Sequence, residues 1–117
     1  MKNKICATFA EAVQDIPDGA SIMMHSFAGS AGIAQNLIVA LRNSGVKNLT
    51  VIACSMGVIT GAYLSRPGFE PLITPNFLVE SKQVKKVIST WAVGGMSGGL
   101  GKEVTPLQRA IEAGEVE

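Results

Sequence analysis

Charge of either sign is scarce in this chain. Only 16% of its 117 residues are charged, and ten basic against nine acidic side chains leave a net charge of +1. So weak a field cannot steer DNA or an anionic membrane onto the surface, so nucleic-acid and membrane partners are not expected. Cysteine is also scarce: Cys6 and Cys54 are too few for a disulfide framework and lack His or Cys neighbours at metal-ligand spacing. Both are expected to be reduced, in the cytoplasm, with no metal site. Aromatics reach only 5%, but apolar residues reach 47%, which excludes an intrinsically disordered chain. The dinucleotide spacing G-x-G-x-x-G and the P-loop G-x-x-x-x-G-K-[ST] are both missing.

A mean hydropathy of +0.32 calls for a check on membrane and export segments. Residues 48–65 carry no formal charge, close to the ~18 apolar residues that raise the question of a span. Thr50, Ser55, Gly57, Thr60 and Gly61 interrupt that stretch and its first half is β-branched, so it reads as a buried strand followed by a loop. After Lys2 and Lys4 the apolar run is cut by Glu11, which does not fit an export signal.

What is present is a repeating alternation. Thr8 and Glu11 have capping-box spacing, and Phe9, Ala12, Val13 and Ile16 share one helical face before Pro17-Asp18-Gly19 ends the segment. Ser21-Ile22-Met23-Met24 is a compact strand that opens into small residues 25–32. Leu37, Ile38, Ala40 and Leu41 suit a helix over 34–43, with Gly45 as its stop. Residues 49–54 are apolar apart from Thr50 and uncharged, as in a parallel strand covered on both faces. Residues 56–76 allow only short helical pieces. Val87-Ile88-Ser89-Thr90-Trp91 is a third strand opening into Gly94, Gly95, Gly98, Gly99 and Gly101. Pro106 starts a last helix closed by Gly114, and Val116 stands where a further strand would begin.

This order predicts one α/β domain over residues 1–117: an open, mainly parallel sheet with helices on both faces. Ligands on such sheets bind beyond the carboxyl ends of the strands. Those ends are where glycine and serine concentrate, at 25–32, 55–57 and 92–101. Glycines before a helix let backbone N–H groups approach an anion, and they equally serve tight turns. His25, the one histidine, can face the crevice or pack at its rim. Ser26 and Ser55 are possible nucleophiles, yet neither stands in a G-x-S-x-G frame and no base is suggested by spacing. Cys54 has no basic neighbour to activate its thiol, and Trp91 is accounted for as a core or interface anchor.

The succession Ile16-Pro17-Asp18-Gly19-Ala20, strand, Ser26-Phe27-Ala28-Gly29, Gly32-Ile33, Asn36-Leu37-Ile38 and Ala40-Leu41 resembles the opening of the α subunit of family I coenzyme A transferases. Gly45-Val46-Lys47-Asn48-Leu49-Thr50-Val51 and Val84-Lys85-Lys86-Val87-Ile88 resemble that family's next strands. The segment Arg109-Ala110-Ile111-Glu112-Ala113-Gly114-Glu115-Val116-Glu117 leans toward the glutaconate type. His25-Ser26 stands where the family usually has a glycine pair, and Ala34 where it often has proline.

The resemblance implies a truncated transferase-like fold in which Ser26, Phe27, Gly29, Ser30, Gly32, Ser55, Gly57, Gly94 and Gly95 bind substrate or CoA. It implies no catalytic residue in this chain, because the family's nucleophilic glutamate, which carries the acyl group and then CoA as a thioester, belongs to the β subunit or half. Glu112-Ala113-Gly114 matches the wording of that motif but falls on the α pattern. Acyl-CoA or a small carboxylic acid is the expected ligand, with coenzyme A as substrate rather than resident cofactor. The expected partners are a homo-oligomer, a β-type subunit or both. Two other readings remain: a non-catalytic truncated relative acting as an oligomeric ligand-binding or assembly module, and an unrelated nucleotide-binding domain.

Overall fold

The computed structural model describes residues 4–26, 32–56, 73–91 and 104–117. Its elements are α1 (Phe9–Val13), β1 (Ser21–Met24), α2 (Gln35–Ser44), β2 (Leu49–Ser55), α3 (Asn76–Glu80), β3 (Val84–Trp91) and α4 (Pro106–Glu112). The strands form one parallel sheet in the order β1-β2-β3. Ser21 pairs with Thr50 and Met24 with Ala53, while a register shift at Leu49/Thr50 sets β3 against β2. The open parallel α/β sheet expected from the alternating pattern is therefore present.

Local chemistry explains most of the boundaries. The Thr8 hydroxyl accepts from the Glu11 N–H at 3.1 Å while the Glu11 carboxylate accepts from the Ala7 N–H at 2.8 Å, a capping-box exchange displaced by one residue. The helix stops at Val13, short of Ile16, because a turn begins there that ends in Gly19 at φ +77°. Gly19 donates to the Lys47 carbonyl and Asp18 accepts from the Lys47 N–H, so this turn is tied to the entrance of β2. Gly45 ends α2 in the left-handed region at φ +73°, and Gly114 does the same beyond α4 at φ +70°. Thr105 caps α4 through its hydroxyl, with Pro106 in the first turn, where its missing N–H costs nothing.

The core lies on one side of the sheet. Leu49, Val51 and Ala53 of β2 pack with Ile38 and Leu41 of α2, Leu78 and Val79 of α3, and Leu107 and Ala110 of α4. The Arg42 guanidinium stacks 4.2 Å from the Phe77 ring centre, joining α2 to α3. Among the described residues, α2, α3 and α4 all contribute to this core. The sheet runs in chain order. The register leaves Met23, Ile52 and Ile88 in one row across the other face, where Met23 is 80% and Ile88 50% exposed.

Beyond α4 the chain returns to the sheet. Glu117 donates its N–H to the Lys85 carbonyl at 3.0 Å and accepts from the Val87 N–H at 2.8 Å, the bonding of a parallel neighbour. The strand start expected at Val116 is thus laid against β3.

Candidate substrate-binding rim

The backbone ladder between β1 and β2 ends at Met24 and Ala53. Two residues further, in the same register, Ser26 and Ser55 continue the link through side chains. The Ser26 hydroxyl donates to the Ser55 carbonyl and the Ser55 hydroxyl to the Ser26 carbonyl, each at 2.5 Å. Ser26 is buried, 1% exposed, and Ser55 half-buried. A hydroxyl whose hydrogen goes to a carbonyl is not being deprotonated by a base, so this geometry does not prepare either serine as a nucleophile.

His25 is exposed beside the pair. Gly32, where the described chain resumes, has φ +64°, and its missing Cβ would lie 3.8 Å from the His25 ring. Both ends of the segment between them therefore meet at the carboxyl edge of the sheet, immediately before α2. Of the residues expected to bind substrate, Ser26, Gly32 and Ser55 are brought to this rim, whereas Phe27, Gly29, Ser30, Gly57, Gly94 and Gly95 lie outside the described residues.

Sequence reasoning missed Asn76. It is buried; its backbone N–H and side-chain amide both donate to the Met56 carbonyl, and its Oδ1 accepts from the Leu107 N–H. One side chain thus fastens the exit of β2 to the starts of α3 and α4. Gln35 acts similarly, accepting from the Ile73 N–H at 2.9 Å. The available signal was polarity: Asn76 sits directly before the apolar run Phe77-Leu78-Val79, where a buried amide needs partners.

No described carboxylate is bonded to His25, Ser26 or Ser55. Glu11, Asp18 and Glu112 are engaged on local backbone or helix partners, and Glu115 and Glu117 pair with Lys82 and Lys86. Glu112, which resembles the catalytic motif in wording, ends α4 exposed and accepts from Gln108. Among the described residues no group of three His, Cys, Asp or Glu could hold a metal, and no helix is long and apolar enough to cross a membrane. Gly95-Met96-Ser97-Gly98-Gly99 spells G-x-S-x-G and lies outside the described residues. Among the described residues the rim offers the Ser26–Ser55 pair, the exposed His25 ring and the backbone at Gly32.

The coenzyme A transferase family model matches residues 6–117. The chain belongs to the coenzyme A transferase family. Among its relatives, a mitochondrial succinyl-CoA:3-ketoacid coenzyme A transferase 2A of Rattus norvegicus is 34% identical over 114 residues, covering 89% of this chain and 19% of that protein. A probable succinyl-CoA:3-ketoacid coenzyme A transferase subunit of Mycobacterium bovis is 33% identical, covering 98% of this chain and 38% of the relative. The corresponding subunit of Bacillus subtilis is 30% identical, covering 95% and 45%. The chain therefore spans less than half the length of these transferases. An acyl-CoA transferase of E. coli O157:H7, solved as a thioester complex with CoA, matches 93% of this chain and 19% of its own with a TM-score of 0.61 at 20% identity. At that identity the likeness establishes a shared fold and nothing finer.

Proposed function

We propose that this transferase-family chain is one α/β domain of an α-type component that moves CoA between an acyl-CoA and a carboxylic acid. The observation that carries the proposal is family membership over residues 6–117. Phe27, Gly29, Ser30, Gly32, Gly57, Gly94 and Gly95 would wall the acyl and CoA pocket, with Ser26 and Ser55 at the roots of the first two walls. Backbone N–H groups there would stabilise negative charge developing on the thioester oxygen. The glutamate that attacks the thioester comes from a β-type partner in a cytoplasmic assembly. Bacterial relatives named as single subunits support a divided enzyme. The glutaconate leaning of residues 109–117 has only its sequence pattern behind it, and the relatives carry the 3-ketoacid name, so the substrate proposal stays at the level of acyl-CoA and carboxylic acid. Mixing the chain with candidate β-type subunits, an acyl-CoA and an acceptor acid should produce the exchanged CoA ester. Inactivity with every subunit that binds it would overturn the reading.

A second reading, a non-catalytic assembly module, is favoured by one observation: exposed Met23 and Ile88 on either side of half-buried Ile52 in one row of the sheet. A parallel sheet is ordinarily buried on both faces, and an apolar row left open favours association. The two readings separate on whether the associated chain turns over CoA esters.

A further inference from the structure

We infer that Ser26 and Ser55 are positioning residues, a reciprocal clamp that sets the geometry of the binding rim without either hydroxyl touching substrate; this rests on the transferase reading. Strand pairing by backbone ends at Met24 and Ala53, and the same register is carried on to 26 and 55 by two hydroxyl–carbonyl bonds of 2.5 Å. Each serine gives its hydrogen to the other's main chain, so the pair fixes backbone to backbone at the point where both loops leave the sheet. Burial of Ser26 keeps water from competing for the bonds. The next fixed point on the second strand is Met56, whose carbonyl is held twice by Asn76. The described chain resumes at Gly32 against the His25 ring, one residue from the clamp. On the transferase reading, a ligand held at both strand ends depends on their relative position, and the clamp is the described link between them.

The test uses the complex of this chain with its β-type partner, comparing S55V with S55T, which share a shape and differ in the hydroxyl. S55V should raise the acyl-CoA KM about tenfold, the scale of one lost hydrogen bond, at little change in kcat, and S55T should restore it. S26A should act alike, and S26A combined with S55V should fall well short of the product of the two effects because both break one device. Should S26A fail to fold, the S55V and S55T pair at the half-buried position decides alone. An unchanged KM in S55V, a lower melting temperature without a KM change, or an S55T no better than S55V would overturn the clamp while leaving the transferase reading standing. A wild-type complex inactive on all CoA esters would instead overturn that reading and the clamp with it.

Discussion

Gln83 illustrates how much a single amide can hold. It is buried, 2% exposed, and its Nε2 donates to the Leu41 and Val46 carbonyls at 3.0 and 2.8 Å while its Oε1 accepts from Ser81. It thereby closes the end of α2 against the entrance of β3. Gln83→Leu should cost about 2 kcal/mol in urea unfolding, since two carbonyls lose their donor in a dry site. Gln83→Glu should cost more at neutral pH, because an acceptor-only carboxylate would face both carbonyls. Equal losses for the two would show that only the volume of the side chain matters. None of this was legible from sequence, where Gln83 is an ordinary polar residue before a strand. The same holds for Asn76, and for Ser26 and Ser55: their residue types were noticed as possible ligands, but their mutual bonding depends on a register only the sheet defines.

At the level of elements, ends were more legible than interiors because they rest on chemistry local to the chain. Thr8 capping α1, Gly45 stopping α2 and Pro106 opening α4 are all where the sequence put them. Thr8→Ala should destabilise the protein by about 1 kcal/mol in chemical denaturation, the usual cost of a lost cap. Gly45→Ala meets no atom within 4 Å, so its cost of about 1 kcal/mol should come from the left-handed backbone alone. Gly45→Asn should recover part of it, and an alanine variant as stable as wild type would contradict the φ of +73°. β3 begins at Val84, three residues before the Val87 expected from its apolar run, because Lys85 and Lys86 are exposed rather than excluded. Exposed charged side chains are compatible with strand pairing, and Lys86 reaches Glu117 at 3.3 Å.

At the scale of the molecule, the one-sided core has a measurable consequence. The described chain leaves Met23 and Ile88 exposed on the face opposite that core, and the isolated protein should self-associate as concentration rises. Met23→Lys and Ile88→Lys should lower the weight-average mass seen by light scattering without altering the circular dichroism; a clean wild-type monomer across the range would refute this. By itself the sequence determined the alternation of strands and helices, their caps and stops, and membership of a transferase family, because periodicity, turn residues and motif order are local properties of the chain. Tertiary structure alone decided which face of the sheet is covered and which serine meets which carbonyl. Both follow from strand order and register, and these are set by packing between residues some thirty or more positions apart rather than by any residue's own preference.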